Sequence, residues 1–206
     1  MHQAVRGMRD VLPADTWRWS HLERKLFQRL TGASYSEIRL PLMEFTELFA
    51  RGVGEATDIV EKEMYTLSDR DGMSISLRPE GTASCVRALE EHGLLYNKTC
   101  RTFYSGPMFR YEKPQKGRYR QFYQMGVEAF GFEGPDIEAE LVLLITKYFE
   151  EIGLNQYLTL EINTLGSHED RGRYREALVS YLTPFYGELD DSMLRSRPSR
   201  MCVPQS

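Results

Sequence analysis

Residues 99–131 read TCRTFYSGPMFRYEKPQKGRYRQFYQMGVEAFG, two runs of strand character around a basic stretch, Glu112 to Arg120, that holds Pro114 and Gly117. That arrangement predicts a hairpin with a long polar tip. Residues two apart share one face of a strand. On the second run Phe122, Gln124, Gly126 and Glu128 fall on one parity, and Tyr123, Met125, Val127 and Ala129 on the other. The odd face is apolar enough to pack on helices. The even face carries a ring, an amide, a gap without a side chain and a carboxylate. On the first run Met108, Arg110 and Glu112 share a parity. A guanidinium, two carboxylates and an amide beside a stacking ring describe a ligand floor rather than a core.

The rest of the chain sets the bounds. Its 206 residues suffice for a full core and one domain. A net charge of -4 argues against nucleic-acid binding by the whole surface, yet leaves room for a local basic patch at Lys113, Lys116, Arg118 and Arg120. Cys85, Cys100 and Cys202 show no CxxC spacing, so neither a disulfide framework nor a thiolate zinc site is expected. His2, His21, His92 and His168 are scattered without metal-ligand spacing, and no metal site is expected. The start has no signal-peptide pattern and no apolar run is long enough for a bilayer. A cytoplasmic protein without a membrane partner is the expectation.

Along the chain, Trp19, Leu22, Leu26 and Leu30 recur at three- and four-residue steps, which predicts a helix over Asp15–Leu30. Tyr35 to Leu40 alternates as a strand and stops at Pro41. Glu44 to Arg51 reads as a short helix closed by Gly52 and Gly54. Met64–Leu67 and Ser74–Leu77 read as strands joined by a turn at Asp69–Gly72. Arg78-Pro79-Glu80-Gly81-Thr82 follows, then a helix over Ala83–Glu91. In that loop Pro79 stiffens the approach and Gly81 permits an unusual backbone turn. Glu80 and Thr82 can both face a ligand; equally, Thr82 can cap the helix and Glu80 can complement its dipole. An amphipathic helix runs from Asp136 to Ile152, with Ile137, Leu141, Leu144, Ile145, Tyr148 and Ile152 on the buried stripe, and Gly153 stops it. Tyr157–Ile162 alternates as a strand, and a last helix covers His168–Leu182. The order of elements predicts an α+β fold, an antiparallel sheet with helices packed on it.

Phe109-Arg110-Tyr111-Glu112, the basic loop and the strand opening on an aromatic resemble motif 2 of class II aminoacyl-tRNA synthetases. The wording of the loop and second strand is most similar to the histidyl-tRNA synthetases. The helix, strand and proline ending at Pro41 resemble the family's motif 1, an element of its dimer interface. Arg-Pro-Glu-Gly-Thr at 78–82 resembles its amino-acid-binding loop. The resemblance covers Val5 to about Arg197 and implies an incomplete class II catalytic core, with residues 1–197 as its N-terminal part. Pro198–Ser206 (PSRMCVPQS) does not resemble the family's continuation. A second histidine motif, motif 3 and an anticodon-binding domain are not found in these 206 residues. A truncation, a frame-shift or an engineered fragment would each give such a chain, and it is expected to be inactive alone.

The resemblance implies histidine–tRNA ligation: ATP activates histidine to the adenylate, and the histidyl group passes to the 3′ end of its tRNA. By the same resemblance Arg110 meets the α-phosphate and the histidine carboxylate and is the catalytic residue. Glu112 and Phe122 hold adenine. Glu80, Thr82 and Gln124 receive the amino end of histidine, Gly81 belongs to the same histidine-binding set, and Glu128 reaches the imidazole. Magnesium enters on the ATP phosphates. Lys113, Lys116, Arg118 and Arg120 become candidates for tRNA contact, or a solvated charged loop. Phe122 also reads as core filler and Glu128 as a solvated carboxylate. The competing function is a non-catalytic relative that binds histidine or tRNA, such as the regulatory subunit of ATP phosphoribosyltransferase. A homodimer is implied in the first case.

Overall fold

The computed structural model describes residues 2–53, 63–113, 115–163 and 166–188. Gly54, Pro114, Leu165, Cys202 and the 198–206 tail lie outside them. The chain divides into two compact units, Met1–Tyr157 and Leu158–Ser206.

In the first unit the hairpin read from residues 99–131 is the central feature. β5 (Cys100–Phe109) and β6 (Gln121–Phe130) pair antiparallel over their full length, from Cys100 opposite Phe130 to Phe109 opposite Gln121. β1 (Ser36–Glu37) lies on the other side of β5 and runs parallel to it. The sheet is therefore mixed at this edge. The Tyr35–Leu40 strand is also shorter than its alternation suggested, although Ile38 still donates its N–H to the Phe103 carbonyl.

The two parities of the hairpin face different partners. Phe103, Met125 and Val127 pack against Leu26 and Leu30 of α1 (Pro13–Gly32) and Leu141, Leu144 and Tyr148 of α4 (Asp136–Glu151). Both helices are amphipathic, and their apolar stripes meet the odd face of β6 as the alternation requires. Leu22 and Ile145 fall at the margins of these stripes and are exposed. Tyr35, at the foot of α1, donates its phenol to Glu140 of α4 at 2.8 Å, and Arg101 of β5 grips the same carboxylate at 3.0 Å. The even face packs on α3 (Thr82–Glu91), where Tyr104, Met108, Cys85 and Leu89 are buried with Phe122 partly covered beside them. That face is thus core as well as floor. Tyr104 and Met108, which precede Arg110 on its parity, fill it.

A second sheet has the order β2–β4–β3, with β2 (Met43–Phe45), β3 (Thr66–Ser68) and β4 (Ser74–Leu77) all antiparallel. Glu44 lies in β2 rather than in a helix, and α2 (Thr46–Val53) begins two residues later, with Gly52 inside it. Pairing with Ser76 overrides the helical pattern there. The turn behaves as its residues dictate: Asp69 accepts the N–H groups of Asp71 and Met73, and Gly72 takes φ +83°. Gly153, at φ +74°, ends α4.

Tyr157–Ile162 forms no strand. Asn155–Tyr157 is a single 3-10 turn and residues 158–162 are irregular and exposed. Alternation makes a strand only beside a partner, and among the described residues none pairs there. In the second unit α5 (His168–Leu182) has the expected bounds, closed at its start by a reciprocal Ser167–Asp170 capping box.

Arg78, between β4 and α3, fastens the two sheets. It is 3% exposed, donates Nε to the Pro107 carbonyl at 2.9 Å and Nη1 to the Leu40 carbonyl at 3.1 Å. Arg78→Met should lower the unfolding free energy by about 2–4 kcal/mol, since buried carbonyls lose a charged donor. Urea denaturation checks this, and wild-type stability in the variant would contradict the role.

The Tyr35–Glu140–Arg101 contact makes stability depend on pH at both ends. The Tyr35 phenol, chiefly through burial, is pushed up to about 12 from 10.0. Unfolded tyrosine ionises first, so this contribution is intact below pH 10 and is lost as pH rises towards 12. The Tyr35 hydrogen bond, then Arg101, holds the Glu140 carboxyl below its ordinary 4.5. That contribution is intact above the unfolded value and is lost as pH falls through the lower folded one. Tyr35→Phe should flatten both limbs of a stability–pH curve measured by denaturant midpoints. Limbs that superpose on wild type would contradict it.

Candidate functional site

The even face of the hairpin opens where the side chains become polar. Cross-strand pairing puts Thr102 opposite Glu128, Tyr104 opposite Gly126, Gly106 opposite Gln124 and Met108 opposite Phe122. Thr82, the first residue of α3, donates its hydroxyl to Glu128 Oε1 at 2.7 Å, and the Tyr104 phenol donates to the same oxygen at 3.4 Å. Burial pushes the Tyr104 phenol up to about 12, so it stays protonated and a donor at neutral pH. The cluster is a carboxylate oriented by two hydroxyls, suited to a cationic or N–H-bearing ligand. Gln124, on the same strand face, has its amide oxygen buried with no hydrogen-bond partner among the described residues. An amide oxygen so placed is completed by a ligand donor or a water.

Two glycines shape this pocket by what they lack. A Cβ on Gly81 or on Gly126 would overlap the Tyr104 ring. Gly81 has φ -112°, so the close approach of Tyr104, not an unusual turn, requires a glycine there. Glu80 plays the helix-dipole role rather than standing clear: its carboxylate accepts the N–H groups of Thr82 at 2.5 Å and Ala83 at 3.0 Å. It caps α3, whereas Thr82, whose hydroxyl goes to Glu128, does not.

At the other end of the face, Arg110 donates Nε to the Pro79 carbonyl at 2.9 Å and sits over Phe122, 5.2 Å from the ring centroid. The guanidinium and the ring therefore form one surface, with the planar group available to an anion. Glu112 is half-buried; among the described residues its Oε2 has no hydrogen-bond partner, and Arg118 Nη1 lies 3.6 Å away. In the loop Gln115 and Arg118 close a tight turn over Gly117, at φ +82°. Lys113, Lys116 and Arg118 are exposed. Arg120 is engaged instead, with Nε on the Glu112 carbonyl at 3.2 Å and its cation 3.9 Å over the Tyr111 ring.

The sequence reading missed Tyr104 and Gly106 as parts of this site, and placed Arg78 only as the first residue of the amino-acid-binding loop. Gly106 leaves room for the Arg78 guanidinium, which a Cβ would strike. Tyr104 is an apolar-looking strand residue whose function depends on two distant glycines, and only the mid-strand glycine pattern hints at it. Among the described residues there is no group of three or more His, Cys, Asp or Glu side chains placed to hold a metal ion, and no helix is long and apolar enough to cross a membrane.

Comparison with known proteins gives this geometry a family. The model of the histidyl-tRNA synthetase family matches residues 7–166. Among solved structures, apo histidyl-tRNA synthetase of S. aureus is similar at 40% identity and TM-score 0.64, over 75% of this chain and 40% of that one. An ATP phosphoribosyltransferase regulatory subunit/histidyl-tRNA synthetase from Bacillus halodurans shares the fold at 23% identity and TM-score 0.64, over 74% of this chain and 38% of that one. A histidine–tRNA ligase subunit from Alicyclobacillus acidocaldarius does so at 22% and 0.63, over 74% and 43%. The chain spans about two fifths of the length of these relatives. Its α+β architecture is that of the class II synthetase catalytic core, and the chain belongs to the histidyl-tRNA synthetase family.

Proposed function

We propose that the even face of the β5–β6 hairpin is the histidine and ATP side of a histidine–tRNA ligase. The observation that carries this reading is the Thr82–Glu128–Tyr104 cluster beside the unpartnered Gln124 amide oxygen. Glu128, held by two hydroxyls, accepts the imidazole N–H, and Gln124 takes a donor from the amino end. A pocket that satisfies buried polar groups with the ligand's own N–H groups rejects apolar analogues strongly. Arg110 places its planar fork between the histidine carboxylate and the α-phosphate, and Phe122 offers its ring to adenine. Magnesium, carried by the ATP phosphates, supplies charge neutralisation. The reaction is an in-line attack of the histidine carboxylate on the α-phosphorus, in which the bond to the β-phosphate oxygen breaks and pyrophosphate leaves; no protein nucleophile takes part, so positioning and charge stabilisation carry the catalysis. Arg110 over Phe122 favours this nucleotide-using reading over that of a histidine-binding regulatory subunit.

The loop cations Lys113, Lys116 and Arg118 face the tRNA acceptor end, with Arg120 supporting them from behind. Self-association is part of the same reading. The segment after Pro41 exposes Leu42, Met43 and Phe45, the last at 55%. The inner side of that sheet is instead lined by hydroxyls, with Thr46, Thr66 and Ser76 hydrogen-bonded together. An apolar outer face over a hydroxyl-lined inner one suits a second copy of the chain.

Titration calorimetry with histidine tests the site. Glu128→Gln should weaken binding about 10- to 100-fold, the worth of a charge-assisted hydrogen bond. Equal affinity in well-folded wild type and variant would overturn the assignment. Analytical ultracentrifugation at micromolar concentration should show dimers that Phe45→Glu converts to monomers. A wild type that sediments only as a monomer would reject the self-association.

A further inference from the structure

The residues before α1 take no part in the site above, yet they touch its loop at three points. Val5 and Met8 close a tight turn, with the Met8 N–H on the Val5 carbonyl at 2.9 Å, and Gly7 stands in it at φ +85°. The Gly7 carbonyl accepts the Arg120 N–H at 2.8 Å and the Gln121 N–H at 3.3 Å. On its other side the Arg120 carbonyl accepts the N–H of Arg110 at 2.9 Å. A line of main-chain hydrogen bonds thus runs from Gly7 through Arg120 to Arg110. The Arg9 guanidinium, two residues on, lies 4.2 Å over the Tyr119 ring. Gly7 is also sterically committed, since Arg120 Cγ lies 2.8 Å from where a Cβ would stand.

Charge follows the same geometry. Residues 5–10 and 111–120 together hold six cations, Arg6, Arg9, Lys113, Lys116, Arg118 and Arg120, against the carboxylates of Asp10 and Glu112, in a chain of net charge -4. The N-terminal turn therefore brings two more exposed arginines to the basic loop while fixing the loop's exit. A surface of clustered cations interleaved with tyrosines, set apart from an acidic remainder, suits a phosphate backbone.

We propose that the turn at residues 5–9 is a positioning clamp. It fastens the β5–β6 loop at Arg120, holds Arg110 in register through that residue, and completes with Arg6 and Arg9 the surface that receives the phosphates of an RNA end. The RNA half of this inference rests on the tRNA reading above; the clamp itself does not. Gly7→Ala unseats the turn through Arg120, and Arg9→Ala removes only an exposed side chain, so that a folding defect in one leaves the other informative.

Amide hydrogen exchange followed by NMR reads the clamp directly. In Gly7→Ala the Arg120 and Gln121 amides should exchange about tenfold faster, with the Val127 amide in mid-β6 unchanged. Unchanged protection at Arg120 overturns the clamp. Fluorescence anisotropy with a labelled RNA hairpin bearing a short single-stranded 3′ end reads the second half. Arg9→Ala should weaken RNA binding about two- to fivefold and leave histidine affinity where it was. RNA binding that is unaltered in both variants, with the Arg120 amide released, overturns the positioning role. A wild type that binds no RNA, with its Arg120 amide protected, sinks the RNA reading and leaves the clamp established by exchange alone.

Discussion

The buried guanidinium of Arg78 is the contact on which the rest of this arrangement hangs. Among the described residues its hydrogen bonds go to no carboxylate; carbonyl oxygens accept them, those of Leu40 and Pro107 at 3.1 and 2.9 Å and that of Pro41 more loosely at 3.4 Å. Burial lowers its pKa from the ordinary value, with Tyr104 and Glu44 acting in the opposite sense. A cation held this way is costly to place and hard to replace, because its acceptors lie on two separate stretches of backbone, Leu40–Pro41 and Pro107. Its main chain adds two more ties, the Arg78 N–H on the Leu42 carbonyl and the Phe109 N–H on the Arg78 carbonyl. One residue thereby joins the end of the first proline-stopped segment, the second sheet and the last turn of β5. The loop that follows inherits that position. The Pro79 carbonyl reaches Arg110, and Glu80, Gly81 and Thr82 arrive over the β5–β6 hairpin already aligned.

What could be read from the sequence was local and periodic. The parity of Phe122, Gln124 and Glu128 depends only on the pleat, and the stripe of α4 only on the helical turn, so the parity held and the stripe did apart from its exposed margin at Ile145. The capping box of α5 and the Asp69 turn carry their own instructions in adjacent residues. Errors arose where a distant partner decides. Glu44 became a strand residue because Ser76 lies beside it and Arg87 of α3 holds its carboxylate. Tyr157–Ile162 alternates well and pairs with nothing described. Arg78 looked like the first letter of a ligand loop, and nothing in its neighbourhood of sequence announces acceptors some thirty-eight and twenty-nine residues away.

The candidate site was legible as a set of residue types and less so as a set of roles. Glu80 illustrates the difference. Both of its oxygens accept backbone N–H groups at the start of α3, so an ammonium ligand arriving there meets a carboxylate that is already hydrogen-bonded. A carboxylate oxygen offers more than one lone pair, so each can accept a further donor. Ligand and helix would then share one group, and ordering of the helix start would be linked to occupancy.

Tyr104 rests where the two glycines of the pocket let it, at Gly81 on one side and Gly126 on the other, with its hydroxyl beside Thr82 and Glu128. The position of that ring is therefore set by two absent methyl groups rather than by any side chain packed on it. A single added carbon at either position would overlap the ring and displace it, and with it the hydroxyl that reaches Glu128. The orientation of a carboxylate thus depends on two residues that bring no side chain of their own to it.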